Sequence, residues 1–267
     1  MTGMVRLVMV LPENPEKAGM DQYAQAAVAL AALTLFAAES LWPNHRASFD
    51  WRWIGRALGL ILLGTTLMIA SGDVFDPWLQ SMRLFPAASR RLTTWPAPLS
   101  GLLGYFCVTF LVYWWHRMRH ASNLLWRVFH QIHHSPARIE VLTTFYAHPA
   151  DFASNAFIVS VVAFALLGLD PVASGWCLFW VGLFDTWEHT NVRTPVWLGY
   201  FIVRPEMHRV HHEYEKHSKN YGLPIWDMLF GTFENSARRV SCCGFGEEKE
   251  GRLLAMLAAR DVHRLED

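Results

Sequence analysis

The chain has 267 residues, with 23 Lys+Arg against 23 Asp+Glu and hence no formal net charge; 52% of it is hydrophobic and only 17% is charged. Sparse, balanced charge argues against a disordered chain, a nucleic-acid binder and a polybasic surface protein. Charged residues make up roughly a quarter of an average globular protein, so the shortfall, together with 13 Trp and 17 Phe, points to a chain that meets a bilayer over much of its surface.

Residues 1–21 carry Glu13, Glu16 and Asp21 around Pro12 and Pro15. That is not the basic-then-apolar shape of a signal peptide, and no cleavage is expected. Stretches free of Asp, Glu, Lys and Arg mark the expected spans: Gln22 to Ala38, Ala57 to Gly72, Leu92 to Trp115, Phe152 to Leu169 and Pro171 to Phe184. A spanning helix takes roughly 20 apolar residues. The third and fourth runs meet that alone, the first two with their flanks, and the fifth is short enough to be re-entrant or tilted. Gly168-Leu169-Asp170-Pro171 is a tight break that makes the fourth and fifth runs a helical hairpin. A soluble protein with buried helices is the alternative for runs of this length.

Phe75 to Pro98 mixes Pro77, Pro86, Pro96 and Pro98 with Trp78 and Trp95, which predicts a loop or interfacial helix at the opposite membrane face, or a substrate gate. Arg252 to Asp267 reads as a short amphipathic helix without a retention signal. Cys107 and Cys177 lie in apolar runs and Cys242 and Cys243 are adjacent, so all four read as reduced thiols, with a reactive or metal-binding Cys242-Cys243 pair as the alternative. The fold expected is all-α: a membrane bundle of about four spans plus a hairpin or re-entrant segment, capped by histidine-bearing helices. Its parts are N-terminal membrane helices and loop over 1–98, a catalytic domain over 99–235 and a tail over 236–267. If the helices alternate, Arg46, Arg52, Arg56, Arg117, Arg119, Arg127 and Arg138 share one side, against Arg6, Lys17, Arg83, Arg90 and Arg91 on the other. This modest bias puts the histidine segments in the cytoplasm, with Trp114, Trp115 and Trp187 as interface anchors.

Of the 13 histidines, 11 fall between His116 and His217, and His45 and His263 read as ordinary. His116 and His120 stand at i, i+4 after the third run. His130-Gln-Ile-His133-His134 and His208-Arg-Val-His211-His212 are two HxxHH triplets, each expected to present its first histidine on the same helix face as the other two. Asp185 and His189 form a further i, i+4 pair. Imidazole suits Zn, Cu, Fe and Ni, and nine imidazoles exceed the four ligands of a tetrahedral zinc site, so two metal ions are the economical reading. A zincin-type protease would need HExxH, which is absent. A membrane haem protein would carry its ligands inside the helices rather than at their ends. A histidine-rich metal-binding or transport protein would place them mid-membrane.

Tyr113-Trp-Trp-His-Arg-Met-Arg-His120, Trp126-Arg-Val-Phe-His-Gln-Ile-His-His-Ser135, His148-Pro149, His208-Arg-Val-His-His212 and Asn220-Tyr-Gly-Leu-Pro-Ile-Trp-Asp-Met-Leu-Phe-Gly-Thr232 occur in this order. Over roughly Tyr105 to Phe233 the chain resembles the fatty acid hydroxylase/sterol desaturase superfamily of integral-membrane, histidine-rich oxygenases. The resemblance implies a non-haem di-iron centre with O2 as co-substrate, oxidising a C–H bond of a membrane lipid. It also implies electrons from a separate ferredoxin-like or cytochrome-like protein with its reductase. It implies His116, His120, His130, His133, His134, His208, His211 and His212 as ligands, with His189 a further one. Some members carry a second histidine where this chain has Asp185, so Asp185 binds metal, orients a ligand or does neither. His148, His217 and Asn220 are outer or substrate-side candidates, and one or two of Asp185, Glu188, Glu206 and Glu213 are expected beside the ligands. Hydroxylation is favoured over desaturation because short members resemble hydroxylases. A fatty acyl chain, a sterol or an aminolipid would fit, and the Ala/Arg/Trp-rich composition leans to a bacterial inner membrane over endoplasmic reticulum.

Overall fold

A computed structural model of the chain describes residues 27, 30–45, 48–214, 216–237, 240 and 242–264. The signal-peptide reading, the start of the first apolar run, Arg6, Lys17, Arg46 and the last three residues lie outside the described residues. Within them the chain is all-helical, apart from an isolated bridge between Glu213 and Cys243. In chain order the helices are α1 (Leu30–Leu41), α2 (Trp51–Met82), α3 (Pro86–Leu92), α4 (Ala97–Ala121), α5 (123–134), α6 (Pro149–Leu166), α7 (Pro171–Glu188), α8 (Pro205–His211), α9 (Pro224–Phe230), α10 (Glu247–Gly251) and α11 (Leu253–Leu257).

Three of them, α2, α4 and α6, are long and apolar enough to cross a membrane by length and composition. Their outward residues, such as Leu62, Leu63, Leu99 and Phe106, are exposed, which suits lipid contact where water would oppose it. Asp50 starts α2 by accepting the Arg52 and Trp53 amides. The sequence reading makes Phe75 to Pro98 a loop or interfacial helix; α3 fits that, whereas Phe75 to Met82 continue α2 through Pro77. An interior proline forfeits one hydrogen bond, but unwinding the last turn at membrane depth would strand several backbone groups without water.

The helices pack as two close pairs, α2 with α6 and α4 with α7. Small residues permit the approach: a Cβ on Gly64 would lie 2.5 Å from the Phe152 ring, and one on Gly101 would lie 2.6 Å from Trp176 and 2.7 Å from the Cys177 backbone. The expected break between α6 and α7 is present. Gly168 adopts φ +58°, and Asp170 caps α7 by accepting the Val172 and Ala173 amides. Ser89 of α3 donates to the Gly168 carbonyl and Ser100 of α4 to the Leu92 carbonyl. That end of the bundle is therefore closed by α3 and the hairpin. The other end gathers the C-termini of α4 and α7 and the N-terminus of α6, and there the histidine segments lie.

Over the described residues 252–264 the helix expected of the tail is confined to α11; the chain breaks at Ala259 with φ +53° and folds back. Met256 and Val262 pack with Trp53, Ile132 and Tyr146, and Gln131 donates to the Arg260 carbonyl while accepting the Val262 amide. The tail thus braces the histidine-bearing α5. All four cysteines are free.

Candidate metal centre

The last turns of α4 carry His116 and His120 out of the bundle on one face. Ser122 stops the helix and accepts the Leu125 amide, turning the chain into α5, whose middle, Trp126–His130, is a wider π turn. A π turn holds an extra residue and commonly marks functional sites. Here it delivers His130 and His134 beside His116 and His120. Beyond α7, Arg204 and Pro205 open α8, which brings in the second triplet.

The nine expected histidines converge in two groups. His116, His120, His130, His134 and His211 offer ligand atoms within 4.8 Å of one another, and so do His133, His189, His208 and His212. Each HxxHH triplet is split, and the two are split reciprocally: His130 and His134 join the first group while His133 joins the second, and His208 and His212 join the second while His211 joins the first. Same-face triplets were expected. At roughly 100° per residue, i and i+4 point nearly alike, but i+3 and i+4 diverge by a full residue step. Two sites side by side exploit that divergence.

Within the first group Nε2 contacts run from His116 to His130 (2.8 Å), His130 to His134 (3.1 Å) and His134 to His211 (3.1 Å). The outer nitrogens decide what these contacts mean. His116 Nδ1 donates to the Tyr221 carbonyl and His211 Nδ1 to the Lys219 carbonyl, each at 2.8 Å. A carbonyl only accepts, so both Nε2 atoms present bare lone pairs. His130 and His134 would then have to donate outward, and their own N–H groups would collide at 3.1 Å. A cation resolves this, because every Nε2 can then present a lone pair. His130 Nδ1, 4.0 Å from Asp151 Oδ2, also suits a proton on the outer nitrogen.

The second group behaves alike. His189 Nδ1 donates to the Asp185 carbonyl (2.7 Å), so its Nε2 lone pair faces His133 (3.2 Å) and His208 (2.9 Å), and His208 meets His212 at 3.0 Å. Burial holds these imidazoles neutral, as metal binding requires. It pushes His211 down to about 3 and His189 down to about 4, and holds His130, His133, His134, His208 and His212 well below the usual imidazole range with help from neighbouring imidazoles and Arg119. The donor set therefore fits two imidazole-bound metal ions.

The remaining expected residues have distinct places. The Asp185 carboxylate lies 3.7 Å from His189 Nδ1, and the Glu188 carboxylate 3.4 Å from His208 Nδ1. His148 is in neither group; it caps α6 by accepting the Ala150 amide and donates to the Leu257 carbonyl. His217 packs on His134 and donates to the His211 carbonyl. Asn220, with φ +53°, binds the Met207 and Glu234 backbones from between the two carbonyl anchors Lys219 and Tyr221. Glu206 is structural, gripping Thr194 and Arg204. Sequence reasoning missed the buried ion pair of Arg119 with Asp151. Its one signal is an acid at the mouth of an apolar run, just after His148-Pro149.

A cavity of about 460 Å³ runs from the clusters into the bundle between α4, α6 and α7. His116, His130, His133, His189 and His208 face it at one end, and Val108, Val159 and Val181 at the other.

Residues 101–232 match the family model described as fatty acid hydroxylase. The chain is 32% identical to alkylglycerol monooxygenase of Homo sapiens over 151 residues, covering 55% of this chain and 33% of that protein. It is 33% identical to the ornithine lipid hydroxylase OlsE of Rhizobium tropici over 67% of this chain and 54% of that protein. Methylsterol monooxygenase 2-2 of Arabidopsis thaliana is 31% identical over 69% of both chains. The alignments thus span a third to a half of the first two relatives. No solved structure matches the chain.

Proposed function

Because the chain belongs to the fatty acid hydroxylase family, we propose that it is an integral-membrane, O2-dependent oxidoreductase that hydroxylates a C–H bond of a lipid at a non-haem di-iron centre. The observation that carries this is the pair of neutral imidazole clusters at the end of an apolar cavity. His116, His120, His130, His134 and His211 would hold one iron, and His133, His189, His208 and His212 the other. Iron bound there supplies O2 activation and accepts electrons from a ferredoxin-like or cytochrome-like protein with its reductase.

The chain's own residues do the rest. Tyr221, Lys219 and Asp185 carbonyls fix three imidazole tautomers, and Glu188 faces a fourth imidazole, which keeps the ring nitrogens aimed inward. Asp185 acts as an orienting residue for His189. Trp126, Tyr221 and His217 cover the first cluster and keep bulk water from it. Val108, Val159 and Val181 hold the apolar part of the lipid. The histidine-rich end is placed in the cytoplasm, where reduced carriers reside, and a bacterial inner membrane is the favoured setting.

Metal analysis of the purified protein, with O2 uptake and lipid mass spectrometry, tests this reading. The expected result is two irons per chain and a lipid heavier by one oxygen when a reductant is supplied. Exchangeable metal without oxidation would replace the enzyme by a metal-binding or transport protein, and loss of two hydrogens would replace hydroxylation by desaturation.

A further inference from the structure

Two short stretches outside the spans are as apolar as the spans themselves. Residues 195–203 carry no charged side chain, and residues 220–233 carry only Asp227, which is buried. Each is too short to cross a bilayer. Both nevertheless turn apolar side chains outward. Trp197, Tyr200 and Phe201 are exposed on the short helical turn Val196–Tyr200 and just after it, and Ile225, Met228 and Leu229 are exposed on α9. Phe201 reaches 72% and Leu229 66%. The turn and α9 touch, and the Tyr200 ring lies 5.8 Å from Phe233, so these side chains belong to one surface. A contiguous apolar surface of this kind calls for a cover.

Its position identifies the cover. Trp226 of α9 packs on Phe106 and Phe110 of α4 at 5.0 and 5.1 Å, and its indole N–H donates to Thr109 Oγ1. Phe230 packs on Tyr113 and Trp114 at 5.3 and 4.8 Å. Phe106, Phe110 and Trp114 continue the outward stripe of α4 that begins with Leu99 and Leu102. A hydrocarbon core takes about 20 helical residues, so counted from Leu99 it extends to the neighbourhood of Met118. α9 therefore lies beside the span at hydrocarbon depth, and its outer face takes over the lipid-facing side of α4.

The backbone agrees. A helix of seven residues leaves most of its terminal amides and carbonyls without an intrahelical partner, and on a wet surface water would serve them. Here the chain serves them. The Asp227 carboxylate accepts the Tyr221 and Gly222 amides and the Thr232 hydroxyl, while its carbonyl accepts the Thr232 and Phe233 amides. In the other stretch the Leu198 carbonyl accepts the Phe201 and Ile202 amides, and the Val196 carbonyl accepts the Asn235 side-chain amide. Backbone that serves itself while presenting apolar side chains suits hydrocarbon, which offers no hydrogen bonds. A docked soluble protein would have to descend below the head groups to reach the same surface.

We infer that residues 195–203 and α9 form a single insert that sinks into the leaflet on the histidine-bearing side without crossing it, with acyl chains covering Trp197, Tyr200, Phe201, Ile225, Met228 and Leu229. The partner is the bilayer itself. Arg193, exposed, and Lys219, half-buried, stand where the two stretches begin and suit the level of the lipid phosphates. The Lys219 and Tyr221 carbonyls that hold His211 and His116 lie just before α9, so the insert fixes the depth of the loop that orients the first cluster. None of this depends on the reaction the clusters perform.

The test uses the full chain in lipid nanodiscs holding one copy each, with Cys242→Ser removing the exposed native thiol. A nitroxide is attached at Phe201→Cys or Leu229→Cys, with Leu62→Cys on α2 as the lipid reference and Lys216→Cys as the water reference. Electron paramagnetic resonance then compares collisions with O2, which concentrates in hydrocarbon, and with a water-soluble nickel chelate. Labels at 201 and 229 should collide with O2 in preference to nickel, as at 62 and opposite to 216. Collisions dominated by nickel would put the surface in water and overturn the insert, and shielding from both reagents would make it a protein contact and overturn it equally. L229E gives a second reading, because a charge forced into hydrocarbon should lower the thermal midpoint in nanodiscs by roughly 5–10 °C, whereas an exposed position in water tolerates the exchange. An unchanged midpoint would remove α9 from the hydrocarbon.

Discussion

The two histidine clusters are built differently. The first has five imidazoles, and two of its outer nitrogens are held by neutral backbone carbonyls of one loop. Its nearby acid, Asp151, is already matched by Arg119. The second has four imidazoles, two carboxylates within 3.7 Å of its outer nitrogens, and three of its four rings on the cavity wall. Closed ligand sets accompany structural metals and open positions accompany chemistry. On the proposed function, the first cluster would chiefly hold its metal, and the second, with three of its four rings on the cavity wall, would lie nearer the lipid.

Removing one ligand should have the largest effect and should test the split triplets directly. H133A and H211A should each abolish turnover and halve the metal content, but they should empty opposite sites. His133 belongs with His208 and His212, so H133A should share its residual metal spectrum with H208A, not with the same-triplet variant H130A. A match between H133A and H130A would dismantle the reciprocal arrangement.

The acids come next. D151N strips Arg119 of its buried partner and should cost about 3–5 kcal/mol in stability, read as a fall in the thermal midpoint in detergent. E188Q leaves the fold alone and should lower metal affinity at the second site by roughly 10–100-fold. If both variants merely melt early, the second cluster is no more tuned by charge than the first.

Acid should separate loaded from metal-free protein. His189 and His211 are held down to about 4 and about 3, so the unfolded chain takes up protons below about pH 6.5 while the folded one does not. Stability is then full above that pH and falls as pH drops towards about 4, by about 1.4 kcal/mol per histidine per pH unit. Chelated protein should show this slope in pH-dependent melts, and metal-loaded protein should resist it.

The charge-free runs and the Gly168-to-Pro171 break were legible because lipid burial and hairpin turns impose local rules on composition. The histidine spacing and its family resemblance brought out the nine residues that converge. The sequence did not disclose which histidine goes to which cluster, since that depends on the π turn before His130 and on α8 packing opposite α5. Nor could it show the Tyr221 and Lys219 carbonyls, which are backbone atoms indifferent to side-chain identity. Arg119 and Asp151 stand 32 positions apart, and only the packing of α4 on α6 makes them a pair.

The smallest effect expected is at Asn220, and it concerns the first cluster alone. Its φ of +53° reverses the chain between Lys219 and Tyr221, so that both carbonyls turn towards His211 and His116. Its amide holds that reversal by binding the Met207 and Glu234 backbones. N220G keeps access to positive φ and loses only the amide bonds, whereas N220A loses both, at roughly 1 kcal/mol more. First-site metal affinity should therefore fall in the order wild type, N220G, N220A, by roughly tenfold at most between the two variants. The second site, anchored through Asp185 and Glu188, should be unchanged in both. An equal loss at both sites would mean that the loop supports the whole cap, and that the clusters are not separately held.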